Sequence, residues 1–205
     1  MGDNPTQSTD EVAANYSIIT IGDSAVGKTC ITNNFFGVEF NAAHITTIGI
    51  DNTSKKITKD GKNYLITVWD TTGQERFAQL AKQYLRKAHG VFFVFSYDIK
   101  ESIGSIKKWL DILKGANNKN TICLALLGNK ADLDESEKVV KKEEGEKLAQ
   151  ELSMPFYDVS AKTGQNVQQS FNDLIDAIIT ANKGIEEKNG SKIDDNRKKK
   201  KKDCC

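Results

Sequence analysis

The segment "GDSAVGKT", Gly22 to Thr29, has the spacing G-x-x-x-x-G-K-[ST]. Such a segment is suited to hold phosphate. Its glycines let the backbone curl so that successive N–H groups point inward, and a following helix adds the positive end of its dipole. Ser24, Ala25, Val26, Gly27 and Cys30 frame this cradle; Lys28 would reach the β- and γ-phosphates and the Thr29 hydroxyl would bind Mg²⁺. A second segment, "GNKAD" from Gly128 to Asp132, chooses the base. The Asp132 carboxylate can accept from the N1–H and the exocyclic N2–H of guanine together. Adenine offers no such pair of donors, and a buried carboxylate left unsatisfied costs roughly 1–3 kcal/mol or more. The two segments together predict bound GTP or GDP with Mg²⁺.

These residues need a frame. Strand-like apolar runs occur at Tyr16–Gly22, Asn63–Asp70, Val91–Asp98, Thr121–Asn129 and Pro155–Ala161. Three are almost continuously apolar, as strands covered on both faces are. Between them, Ile103, Ile106, Trp109, Leu110 and Leu113 fall on one helical face, and so do Val167, Phe171, Leu174, Ile175, Ile178 and Ile179. The alternation predicts an α/β fold of three layers, a mainly parallel six-stranded sheet with helices on both faces. Asp60-Gly61, between the strand-like "IGIDNTSKKIT" and the Asn63 run, is a hairpin signal, so one edge strand should be antiparallel. The phosphate loop then joins a strand to the helix "KTCITNNFF", and "GNKAD" closes a later strand, where open α/β sheets bind ligands.

With these motifs in this order, the chain resembles the small GTPases of the Ras superfamily, and "TIGID" with "WDTTGQERF" makes it similar to the Rab family. The resemblance covers about residues 15–182 as the P-loop GTPase domain, with a flexible extension at 1–14 and a disordered tail at 183–205. It implies that Asn129 and Asp132 read the base, that Lys130 lies over it, and that Ser160, Ala161 and Lys162 support it, the Ala161 N–H facing guanine O6. Phe40 would cover the base from the other side. Thr47 would complete the Mg²⁺ shell beside Thr29, and Asp70 would hold the metal through water. The Gly73 N–H would bond the γ-phosphate and Gln74 would orient the attacking water, so the catalytic set is Gln74, Lys28 and Thr47. No residue stands out as an arginine finger in cis. The implied protein is a monomer that hydrolyses GTP slowly alone and fast with a GTPase-activating protein. Its other implied partners are an exchange factor, a GDP-dissociation inhibitor, a prenylation escort protein and GTP-dependent effectors of vesicle traffic.

Two residues depart from the family pattern. Thr72 stands where most relatives have alanine, and either crowds the catalytic glycine or points harmlessly to solvent. The first case makes a GTP-binding scaffold with reduced hydrolysis an alternative, against which Gln74 argues. Asn52 replaces the usual phenylalanine of an aromatic trio completed by Trp69 and Tyr84, which predicts a distinct effector set. A small-molecule P-loop kinase is a third reading, opposed by the guanine-reading segment.

The chain ends "NRKKKKKDCC". By the resemblance, Cys204 and Cys205 receive geranylgeranyl chains. Stable anchoring takes two signals; Arg197 and Lys198–Lys202 add attraction to anionic lipid of about 1 kcal/mol per base, less for Asp203 and screening. A nuclear-localisation or merely solvated charge run is the competing explanation. The expected location is the cytoplasmic face of internal membranes, with a cytosolic pool. A net charge of +1 over 205 residues argues against a nucleic-acid-binding surface. No apolar run nears the roughly 18 residues of a membrane span, and "MGDNPTQSTDEVAANY" has no secretory core. "MGDNPT" fits a loose myristoylation pattern, but the acidic Asp3 disfavours it. Cys30 and Cys123 read as core thiols, and neither His44 nor His89 has metal-ligating neighbours in sequence.

Overall fold

A computed structural model describes the backbone of residues 11–41, 50–71, 78–117 and 122–200, and the side chains of 11–41, 50–71, 82–117 and 122–183. The elements follow in the order β1 (Val12–Ile21), α1 (Lys28–Phe35), β2 (Ile50–Lys59), β3 (Lys62–Thr71), α2 (Ala78–Leu85), β4 (Gly90–Ser96), α3 (Lys100–Gly104), α4 (Ile106–Ala116), β5 (Cys123–Asn129), α5 (Lys142–Glu151), β6 (Phe156–Asp158) and α6 (Val167–Lys200). The six strands lie in the order β2-β3-β1-β4-β5-β6. All neighbours are parallel except β2 and β3, which pair antiparallel from Ile50↔Thr71 to Lys59↔Lys62. Asp60 and Gly61 close that hairpin with φ of 51° and 71°. Two consecutive positive φ angles are what a tight hairpin needs, and why Asp-Gly announces one.

Alternation along β1 sorts the core into two layers. Tyr16 and Ile18 face α1 and α6, in a cluster with Ile31, Phe35, Phe171 and Ile175. Ile19 and Ile21 face the other way, packing with Phe93, Phe95, Trp109 and Leu113 of β4 and α4. The Phe35 and Phe171 rings stack at 3.9 Å between centroids, fastening α1 to α6. Since α1 begins at the phosphate loop, this stack also fixes the direction in which the helix N-terminus points.

Three boundaries differ from the sequence reading. β1 begins at Val12. The expected helix around Ile103–Leu113 is two helices, α3 and α4, meeting at Ser105. The backbone of α6 runs on to Lys200, where composition predicts a disordered tail from residue 183. No described helix is long and apolar enough to cross a membrane.

Candidate nucleotide site

β1 delivers the chain into the phosphate loop with no room to spare. A Cβ on Gly22 would lie 2.2 Å from the Val94 carbonyl oxygen of β4, and one on Gly27 would lie 2.2 Å from Asn129 Nδ2. Gly27 at φ 91° and Ala25 at φ 64° turn the loop through left-handed conformations before α1 starts. Lys28, only 5% exposed, folds back over the loop and donates to the Gly22 and Asp23 carbonyls at 2.9 and 2.7 Å. Burial pulls its pKa down to about 8, against the attraction of Asp70 and Asp23. A buried ammonium held only by neutral carbonyls and nearby carboxylates has strong reason to accept an anionic partner.

Beside it, the Thr29 hydroxyl donates to Asp70 Oδ2 at 2.6 Å. Asp70, at the end of β3, is 5% exposed, and Thr20 Oγ1 donates to its Oδ1 at 3.4 Å. Thr71 Oγ1 in turn donates to the Thr20 carbonyl at 2.8 Å, tying β3 to β1. Among the described residues, no group of three His, Cys, Asp or Glu side chains gathers to hold a metal. Among the described residues, Thr29 and Asp70 are the oxygen donors that meet at this end of the site. Hard oxygen donors of that kind suit Mg²⁺, which usually keeps waters and substrate phosphates in its shell.

The base end is assembled around Asn129. Its side chain, 2% exposed, donates from Nδ2 to the Val26 carbonyl at 2.8 Å and accepts at Oδ1 from the Ala161 N–H at 3.1 Å. One amide thus bolts the phosphate loop to the "SAK" loop. Ser160 Oγ donates to Asp132 Oδ1 at 2.5 Å, and Lys162 Nζ lies 3.6 Å from Asp132 Oδ2. Asp132 is therefore aimed and charge-balanced. Lys130, at φ 66°, reaches Asp98 Oδ2 at 2.7 Å. Burial disfavours the Asp98 charge, but hydrogen bonds from Lys130 and Ser96 outweigh it and hold its carboxyl below the usual range.

Of the residues singled out in the sequence, Lys28, Thr29 and Asp70 gather at the phosphate end, and Asn129, Lys130, Asp132, Ser160, Ala161 and Lys162 at the base end. Ser24 and Ala25 are exposed on the loop, Val26 is buried beneath it, and Cys30 is half-buried on α1 with its thiol pKa raised by burial. Phe40 stands 44% exposed beyond α1. Thr47, Thr72, Gly73, Gln74, Cys204 and Cys205 lie outside the described residues. Sequence reasoning missed Asp98, which steers Lys130, and Trp109, whose Nε1 donates to Asp23 Oδ1 at 2.9 Å and moors the loop to α4. Nothing local flags either: the Trp109–Asp23 partners are 86 residues apart. It also missed Asn34, whose Nδ2 donates to the Ala161 carbonyl at 3.3 Å.

Residues 17–180 match the family model described as Ras family. The chain is 40% identical over 169 residues to Ras-related protein Rab-15 of Homo sapiens, covering 82% of this chain and 78% of that one. It is 41% identical over 156 residues to Ras-related protein RABD1 of Arabidopsis thaliana, covering 76% and 75%. Against Ras-related protein Rab-13 of Mesocricetus auratus it is 38% identical over 177 residues, 86% of each chain. On this fold, these matches have one meaning: the chain belongs to the Ras family of small GTPases. Within that family it is a divergent Rab, a GTP-binding enzyme that hydrolyses GTP and serves vesicle traffic.

Proposed function

We propose that this chain is a membrane-anchored, Mg²⁺-dependent switch whose GTP- and GDP-bound forms are told apart by protein partners. The observation that carries the reading is the Asn129 amide, which joins the phosphate loop to the "SAK" loop, so that phosphate grip and base choice form one rigid unit. Lys28 exchanges its carbonyl partners for β- and γ-phosphate oxygens. Thr29 and Thr47 would supply hydroxyls to Mg²⁺ and Asp70 would hold it through water; the metal when bound would offset the charge that develops on the phosphates. The Gly73 N–H binds the γ-phosphate and Gln74 aligns the attacking water. Asn129, Lys130, Asp132, Ser160, Ala161 and Lys162 enclose the guanine, with Phe40 closing over it. Phosphoryl transfer of this kind is positioning and electrostatics, and an arginine from an activating protein adds roughly 10³–10⁵ in rate. When the γ-phosphate leaves, Thr47 and Gly73 lose their contacts, and the flanking segments give partners the nucleotide state to read.

Geranylgeranyl chains on Cys204 and Cys205, assisted by the basic run, would attach the protein to the cytoplasmic face of internal membranes. An escort protein would serve prenylation and a GDP-dissociation inhibitor the cytosolic pool. The effector set follows from β2. Asn52 lies opposite Trp69, and Ser54 and Thr67 share a hydroxyl–hydroxyl bond of 2.9 Å. Asn52 leaves the Trp69 and Tyr84 rings, 4.5 Å apart, without a third aromatic, which favours an effector set distinct from one that reads a full trio.

Single-turnover GTP hydrolysis tests the reading. The expected course is slow alone and faster by orders of magnitude with an activating protein, with Gln74→Ala abolishing the acceleration. Purified protein free of guanine nucleotide and unable to take up GDP with Mg²⁺ would overturn it. A single-turnover rate that rises in Thr72→Ala assigns the slow intrinsic step to that hydroxyl; an unchanged rate leaves Thr72 a bystander.

A further inference from the structure

Thr32, one turn along α1 from Lys28, is 4% exposed, and its hydroxyl has no hydrogen-bond partner among the described residues. A helical threonine ordinarily satisfies its hydroxyl on the carbonyl one turn back. This one instead lines a cavity of about 30 Å³ between α1, β2 and β3, shared with Thr29, Asn33, Asp51, Thr53 and Asp70. The space suits a single water molecule, and the lining offers the several polar partners that a buried water needs. We infer that this cavity holds one ordered water linking the Thr32 hydroxyl to the Asp70 carboxylate, which makes Thr32 a positioning residue for the metal site.

The chemistry favours water over an ion. Asp70 already accepts from Thr29 at Oδ2 and from Thr20 at Oδ1. A carboxylate retains further lone pairs after two bonds, and a water donating to one completes its orientation. Asp51, the other carboxylate in the lining, is exposed and takes the Asn52 N–H at 2.7 Å on Oδ1, so it stands at the rim with access to bulk solvent. Groups that orient a metal's carboxylate without touching the metal change its affinity by roughly 10–100-fold when removed. The inference rests on the proposal that Asp70 serves Mg²⁺.

The test measures release of a fluorescent GDP analogue across Mg²⁺/EDTA buffers, reading the free Mg²⁺ that half-maximally slows release. Thr32→Val, nearly the same shape without the hydroxyl, should raise that concentration about tenfold while leaving thermal stability unchanged or higher. Thr32→Ser should restore it, and Asp70→Asn should shift it further. If Asp70→Asn shifts it and Thr32→Val does not, this inference alone fails. If neither does, the role of Asp70 fails with it. Equal shifts in Thr32→Val and Thr32→Ser would reduce the effect to packing and also overturn it. A crystal structure with Mg²⁺ and GDP should show water within hydrogen-bond distance of Thr32 Oγ1 and Asp70; a coordinated cation there, or nothing, counts against it.

Discussion

Asn129 and Asp132 are three residues apart but fail differently when altered. Asn129→Ala removes the partner of two buried backbone groups, the Val26 carbonyl and the Ala161 N–H. Each unsatisfied group costs about 1–3 kcal/mol, so the nucleotide-free protein should lose thermal stability and GDP should leave faster, both visible in a melt and a release assay. Asp132→Asn presents a donor as well as an acceptor to the base. Losing two charge-assisted bonds should weaken GTP roughly a hundredfold, while xanthosine triphosphate, which has an oxygen where guanine has its amino group, should gain. Competition binding separates the two nucleotides. The residues proposed to touch ligand stand in short local patterns, Gly22–Thr29 and Gly128–Asp132, that the sequence displays directly. The struts do not: Asn129 meets Val26 across 103 positions, and only the folded sheet brings them together.

At the scale of elements, the strand ends and helix starts make the site, and their packing makes it stiff. Phe171→Ala should empty the space over Phe35 and cost about 3–5 kcal/mol, measured by urea unfolding, with GDP release accelerating because α1 loses its brace. Gly22→Ala is more severe, since the Val94 carbonyl 2.2 Å from the new methyl group belongs to the sheet and cannot step aside; soluble yield and nucleotide content should both collapse. The order of strands and helices was legible because two-sided burial writes continuous apolar runs in β4 and β5 and a six-residue apolar stripe in α6. Element boundaries were less so. Ser105 interrupts a helical face that periodicity alone would carry straight through, and the helix beyond Lys183 has no apolar stripe to reveal it.

At the scale of the whole molecule, the sheet sets two poles. Nucleotide-site residues gather where β1, β3, β4 and β5 end. The β2–β3 hairpin lies at the other end, with Asn63 opposite Val12 at the start of β1. There Lys59 bonds Asp176 at 3.0 Å and Lys183 lies 3.5 Å from Asp60, so α6 leaves the domain beside the hairpin. These exposed pairs contribute little stability, about 0–1 kcal/mol each. Replacing Cys204 and Cys205 together by serine should abolish partition into neutral vesicles for protein purified from prenylating cells and leave only salt-sensitive binding to anionic ones, with GDP affinity and hydrolysis unchanged; flotation and single-turnover assays report each. The antiparallel ribbon also has a geometric consequence. From Ile50 to Lys59, where the hairpin turns, β2 runs ten residues, a span of about 30 Å. With the tail tethered as proposed, the nucleotide pocket would stand at the opposite end of that span from the hairpin, open to the approach of regulators.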